Sequence, residues 1–219
     1  MNKDMRDVAL QSLTPTVMVP LFGEFEMLAS SGHRFLSAKD GLWIEARRPG
    51  IYSRQPIARQ NIVAMPYGKV ASCIELGCGQ IPKDEIRRFV EYARTKMPNE
   101  VAMAMIWDDR KKALTSVVLE PIDSSPVHLR YKRPELETYQ HVVADIHSHG
   151  SLHAFFSGSK KKDDDAEKND KDDDAETDDK DDRADLKVAI VVGNLDTPQP
   201  TVMARMCTYG HYKALDITL

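Results

Sequence analysis

Long apolar runs are missing from this sequence. Stretches such as Val101 to Trp107 are typical of its longest, far short of the ~20 residues a membrane-spanning helix requires. Met1 to Leu13 carries Lys3, Asp4, Arg6 and Asp7 and no apolar centre of the kind a signal peptide needs. Cysteine is scarce: Cys73, Cys78 and Cys207 are odd in number and lack zinc-finger spacing, which points to a reducing cytoplasm, while the shortness of the apolar runs leaves no membrane partner expected. No arginine-rich helix and no basic patch interleaved with aromatics stands out, so binding to nucleic acid has no support.

What is present is enough for one large domain or two small ones: 219 residues, 42% of them apolar. The formal net charge of −4 conceals a strong asymmetry. Lys160 to Asp185 holds 14 acidic and 7 basic residues, a balance of −7, which leaves the rest of the chain at +3. Two tandem copies of a nine-residue unit lie inside this stretch, Asp163–Lys171 (DDDAEKNDK) and Asp172–Lys180 (DDDAETDDK). A segment so dense in charge and free of aromatics cannot bury enough apolar surface to fold alone, and the expectation is a flexible acidic insertion at about 160–180.

Residues 1–80 read as β-rich. A polar start and a proline-punctuated extended segment, Thr14 to Pro20, precede strands at His33–Leu36 and Gly41–Ala46. A further hairpin is expected between Ile62–Met65 and Ala71–Leu76. Trp43 is expected in the core, as aromatic strand residues usually pack; the alternative is a partner surface with Arg47 and Arg48. After Gly79 the pattern changes. Ile86, Phe89, Val90 and Ala93 recur at helical spacing, predicting a helix over Lys83–Lys96 that Pro82 opens and Pro98 closes. Strands are then expected at Glu100–Trp107, Ala113–Glu120, His128–Tyr131, Val142–His147, Lys187–Val192 and Val202–Tyr209. The prediction is a mixed α/β chain: a small β-rich domain at 1–80, then an α/β domain at 81–219.

Chemistry concentrates at Ala144-Asp145-Ile146-His147-Ser148-His149-Gly150. Successive strand side chains point to opposite faces, so His147 and His149 share one face, roughly 7 Å apart along the strand. Such a pair can hold one metal ion; it is equally the pattern of two exposed polar residues at a strand end. Glu100 opens a buried strand 47 residues earlier. It is either a solvated end or the free carboxylate that a metal hydrolase needs to take a proton from water.

Together Glu100, His147-Ser148-His149, Ser157 and a following aspartate resemble the JAB/MPN metalloprotease signature, E…H-S/T-H-P-x6-S-x2-D. The six-residue spacing from Gly150 to Ser157 fits, although Gly150 replaces the usual proline, an exchange expected to be mild. A larger departure is Lys160, which stands where the motif has its aspartate and cannot ligate a cation. Between Ser157 and Asp178 lie 20 residues where the motif has two, an excess of 18, or twice the nine-residue repeat. Deleting Lys160 to Thr177 restores Ser157-Gly158-Ser159-Asp178 in frame, so Asp178 is inferred to be the inherited ligand split away by repeat expansion, with Asp163 the alternative.

The resemblance implies a JAB/MPN-like fold, a central mixed sheet with flanking helices. It also implies Zn2+ bound by His147, His149 and Asp178, with Glu100 as general base and Ser157 assisting the oxyanion. The reaction implied is hydrolysis of a peptide or isopeptide bond at the C-terminus of a ubiquitin-like protein. The fold also includes scaffolds that have lost the metal ligands and bind partners instead. A narrower similarity, to the protein A family of the bacterial PRTRC gene cluster, is carried by Thr16–Pro20, Asp40–Trp43, Pro98–Val101, Leu129–Tyr131, Ala154–Ser157 and Val192–Asp196. That context implies a ubiquitin-like partner and a neighbour resembling a ubiquitin-activating enzyme.

Overall fold

The computed structural model describes residues 4–59, 65–156 and 185–217. The chain is mixed α/β and divides into two compact units, Met1–Gly77 and Cys78–Leu219.

The first unit opens with α1 (Met5–Leu13), absent from the sequence reading. Asp4 caps it, accepting a hydrogen bond from the Arg6 amide, and its nine residues include no Gly or Pro. The helix buries none of its residues, so it has no apolar periodicity to read. A five-stranded sheet follows in the order β1 (Thr16–Met18), β2 (Gly32–Ala38), β3 (Gly41–Arg48), β4 (Ile51–Arg59), β5 (Cys73–Leu76), with the β1–β2 pair parallel and the others antiparallel. β4 was not expected, because its sequence is polar and carries Pro56. That proline sits beside a register shift between Leu42 and Trp43, where a strand tolerates a residue without an amide hydrogen. β5 therefore pairs with β4; of the strand expected at Ile62–Met65, residues 62–64 lie outside the described residues and Met65 belongs to no strand. Trp43 is buried with Val19, Leu36 and Ala38, so it belongs to the core.

In the second unit α2 (Lys83–Lys96) has the bounds that apolar spacing predicts, and Ile86, Phe89, Val90 and Ala93 are its buried face. It packs on the central strand of a six-stranded sheet. The order is β13 (His211–Leu215), β12 (Thr201–Thr208), β11 (Leu186–Gly193), β10 (Gln140–Ser148), β6 (Ala102–Asp108), β7 (Ala113–Val118). Only β10 and β11 run parallel, which makes the sheet mixed. The Asp108 carboxylate ends β6 by accepting the Arg110 and Lys111 amides, which shapes the turn into β7. A separate hairpin, β8 (Pro121–Ser125) with β9 (His128–Tyr131), lies between β7 and β10 in sequence. Among the described residues α2 is the one helix of this unit, where flanking helices were expected.

Candidate metal centre

β10 is the innermost polar-tipped strand: it has β11 on one side and β6 on the other. Beyond a bulge at Val142 to Ala144, its residues alternate strictly between faces. Ile146 and Ala144 lie opposite Met103 and Met105 on one face, all of them buried. Asp145 and His147 take the other face, opposite Ala104 and Ala102 on β6 and Ala189 and Val191 on β11. On either side that face is covered. Ala102, Ala104 and Ile106 pack with Leu119 and Leu129, while Ala189, Val191 and Cys207 pack with Ala154 and Phe156. The histidine-bearing strand end is the gap between the two covers.

In that gap the two imidazoles face each other. The Nε2 atoms of His147 and His149 are 3.2 Å apart, with ring centroids at 5.1 Å. A tetrahedral zinc with Zn–N bonds near 2.0–2.1 Å sets two ligand nitrogens roughly 3.3 Å apart, so the pair fits that ion. His149 is 6% exposed and rests edge-on against Phe155, centroids 4.4 Å apart. Burial, then the neighbouring His147, push its pKa down to about 4, against a weaker opposing backbone contact with His153. His149 is thus neutral near pH 7, the form that ligates metal. Its Nδ1 is buried and has no hydrogen-bond partner among the described residues. Few buried polar atoms in a folded chain are left so.

Glu100 is 6% exposed and lies two residues before β6. The antiparallel register pairs Ala102 with His147, and the Ser148 amide donates to the Val101 carbonyl at 3.0 Å. Continuing that register sets Glu100 across from His149, on the histidine face of the sheet. The register thereby brings the backbone segment that carries Glu100 to the strand end that carries His147 and His149, 47 residues later in the chain. Ser157, Asp178 and Asp163 lie outside the described residues. Among the described residues no group of three His, Cys, Asp or Glu side chains is arranged to hold a metal ion.

The loop after the histidines is built on two glycines. Gly150 has φ +54°, a conformation closed to proline, whose ring holds φ near −65°. Exchange with the proline of the motif is therefore not mild here, because the loop takes a different path. Gly193, at the end of β11, lies against this loop so closely that a Cβ would fall 2.2 Å from the Leu152 carbonyl oxygen. Two further groups on the histidine face escaped sequence reading. Asp145 is ion-paired with Lys187, both largely buried, and the signal was available: Asp145 is two residues from His147 and so shares its face. Ser124 and Ser125, which bind the Glu100 backbone, had no readable signal, since β8 was not recognised.

Residues 82–171 match the family described as prokaryotic homologs of the JAB domain, and residues 4–77 match a domain of unknown function, DUF2016. No curated protein matches the chain. The JAB-type match runs from the start of α2 into the acidic repeats and ends before β11. JAB/MPN domains include metalloproteases, among them isopeptidases, and inactive scaffolds. No helix among the described residues is long and apolar enough to cross a membrane.

Proposed function

We propose that the JAB-type unit is a zinc-dependent hydrolase acting on peptide or isopeptide bonds at the C-terminus of a ubiquitin-like protein. The observation that carries this reading is the Nε2 pair of His147 and His149, at ligand spacing and with the second ring held neutral, on the same sheet face as Glu100. His147 and His149 would hold the ion with Asp178 as third ligand, Asp163 being the alternative. When bound, the ion supplies Lewis acidity toward the scissile carbonyl and toward water. Glu100 takes the proton of the attacking water and delivers it to the leaving amine. Ser157 donates its hydroxyl to the developing oxyanion, a contact whose loss costs hydrolases about 3–4 kcal/mol.

The split motif weakens the site without abolishing it. Lengthening the serine-to-aspartate loop from two to 20 residues costs roughly 2 kcal/mol of closure entropy, against about 10–16 kcal/mol for structural zinc in small domains. We assign the chain to a PRTRC-type bacterial cluster, with a co-encoded ubiquitin-like substrate, an activating-enzyme-like partner and a cytoplasmic setting, which is supported by Cys73, Cys78 and Cys207 forming no disulfide. A second reading, a scaffold that binds partners without catalysis, is favoured by Lys160 at the motif's aspartate position. One experiment separates the two. Protein purified without chelator is assayed for zinc and for cleavage of a C-terminally extended ubiquitin-like protein, with and without chelator, alongside Glu100→Gln. The hydrolase holds one zinc and loses cleavage in both treatments; a scaffold contains no stoichiometric zinc, and its partner binding is unchanged by Glu100→Gln. Zinc retained in Asp178→Ala but lost in Asp163→Ala reassigns the third ligand.

A further inference from the structure

We infer that Ser124, on the β8–β9 hairpin, is a positioning residue for Glu100, acting with Ser148 as a clamp on the peptide groups that flank it. This rests on the general-base reading of Glu100. The β6 ladder begins only at Ala102, so Glu100 stands where a strand end would ordinarily fray, and yet it is buried. Its backbone is held from two directions. The Glu100 amide donates to the Ser125 carbonyl at 3.1 Å, and the Ser124 hydroxyl donates to the Glu100 carbonyl at 2.6 Å. On the far side the Val101 amide donates to the Ser148 hydroxyl at 3.0 Å, and the Ser148 amide donates back to the Val101 carbonyl.

Ser148 is wholly buried between His147 and His149, so one residue links the histidine strand to the strand that carries the carboxylate. Ser124 supplies the opposing hold from a hairpin that is not part of the six-stranded sheet. A glutamate has three side-chain torsions. Its carboxylate can be kept within the fraction of an ångström that proton transfer demands only if its Cα is fixed first. Four hydrogen bonds fix the backbone of these two consecutive residues, and none of the four uses the Glu100 carboxylate.

The test uses the full chain and the same C-terminally extended ubiquitin-like protein, with Ser124→Ala and Ser124→Thr compared with wild type. The expected result for Ser124→Ala is a 10- to 100-fold fall in kcat, KM within twofold, zinc content unchanged, and recovery in Ser124→Thr, which keeps the hydroxyl. A kcat equal to wild type in Ser124→Ala overturns the inference while leaving the hydrolase intact. Amide hydrogen exchange in metal-free protein provides a readout without catalysis: the Glu100 and Val101 amides are expected to exchange at least tenfold faster in Ser124→Ala. If wild type itself does not cleave, the hydrolase reading fails, and the exchange rates alone decide the clamp. Rates unchanged in Ser124→Ala refute it.

Discussion

Two buried polar clusters, one in each unit, are built on opposite principles. In the first unit Glu45 is completely buried, and both carboxylate oxygens are occupied. Oε1 accepts from the Leu28 amide at 3.0 Å and the Tyr52 hydroxyl at 2.6 Å, and Oε2 accepts from Arg34. Arg34 continues to the Glu26 carbonyl, Arg47 donates to the Leu28 carbonyl and stacks on Tyr52, and Arg54 donates to the Ala71 carbonyl. Burial, with Glu45 beside it, pushes the Tyr52 pKa up, so the phenol stays a donor. In the second unit His149 is nearly as buried, but its Nδ1 has no partner and its Nε2 faces another imidazole. A closed network rigidifies and offers nothing to a ligand. An open one leaves Nδ1 without a partner and sets two ring nitrogens at ligand spacing, where a metal ion would bind through Nε2.

Mutation should expose this contrast. Glu45→Ala strands Arg34, Tyr52 and the Leu28 amide, and denaturant unfolding of the first unit should lose about 3–5 kcal/mol, with zinc content of the chain unchanged. Gly150→Pro forces a φ of +54° that proline cannot take, and roughly 2–3 kcal/mol of stability in the second unit should go with it. A fully stable Gly150→Pro protein would mean that the loop after the histidines readily follows another path.

Acid titration should give a smaller effect. Between its ordinary value of 6.5 and its folded value of about 4, His149 is protonated in the unfolded chain and neutral in the folded one. Metal-free protein should therefore lose stability as pH falls through that window, by about 2 kcal/mol after allowance for screening, and His149→Gln should flatten the loss. The smallest effect is expected for His149→Gln at pH 7. The metal-free fold should change by about 1 kcal/mol or less, because no hydrogen bond of Nδ1 is there to lose, while zinc binding disappears. Destabilisation on the Glu45→Ala scale would make His149 a structural residue and erase the distinction between the clusters.

Legibility from sequence followed the range of the interactions. α2 was readable because Ile86, Phe89, Val90 and Ala93 repeat at the helical period and all face the core. α1 was not, since it buries nothing, and β4 was masked by Pro56 and its polar residues. The short, largely exposed β8 and β13 carry too little apolar alternation to stand out, and Ser124 was hidden with the first of them.

By itself the sequence determined the mixed α/β class, the helix before β6 and the common face of His147 and His149, because the periods of helix and strand are local properties of the backbone. Tertiary structure alone decided that β6 runs antiparallel beside β10, in the register that carries Glu100 to the histidine end, and that β11 joins β10 in parallel from beyond the acidic repeats. It also decided which buried polar atoms find partners. Register and satisfaction depend on residues far apart in the chain, and no local pattern encodes them.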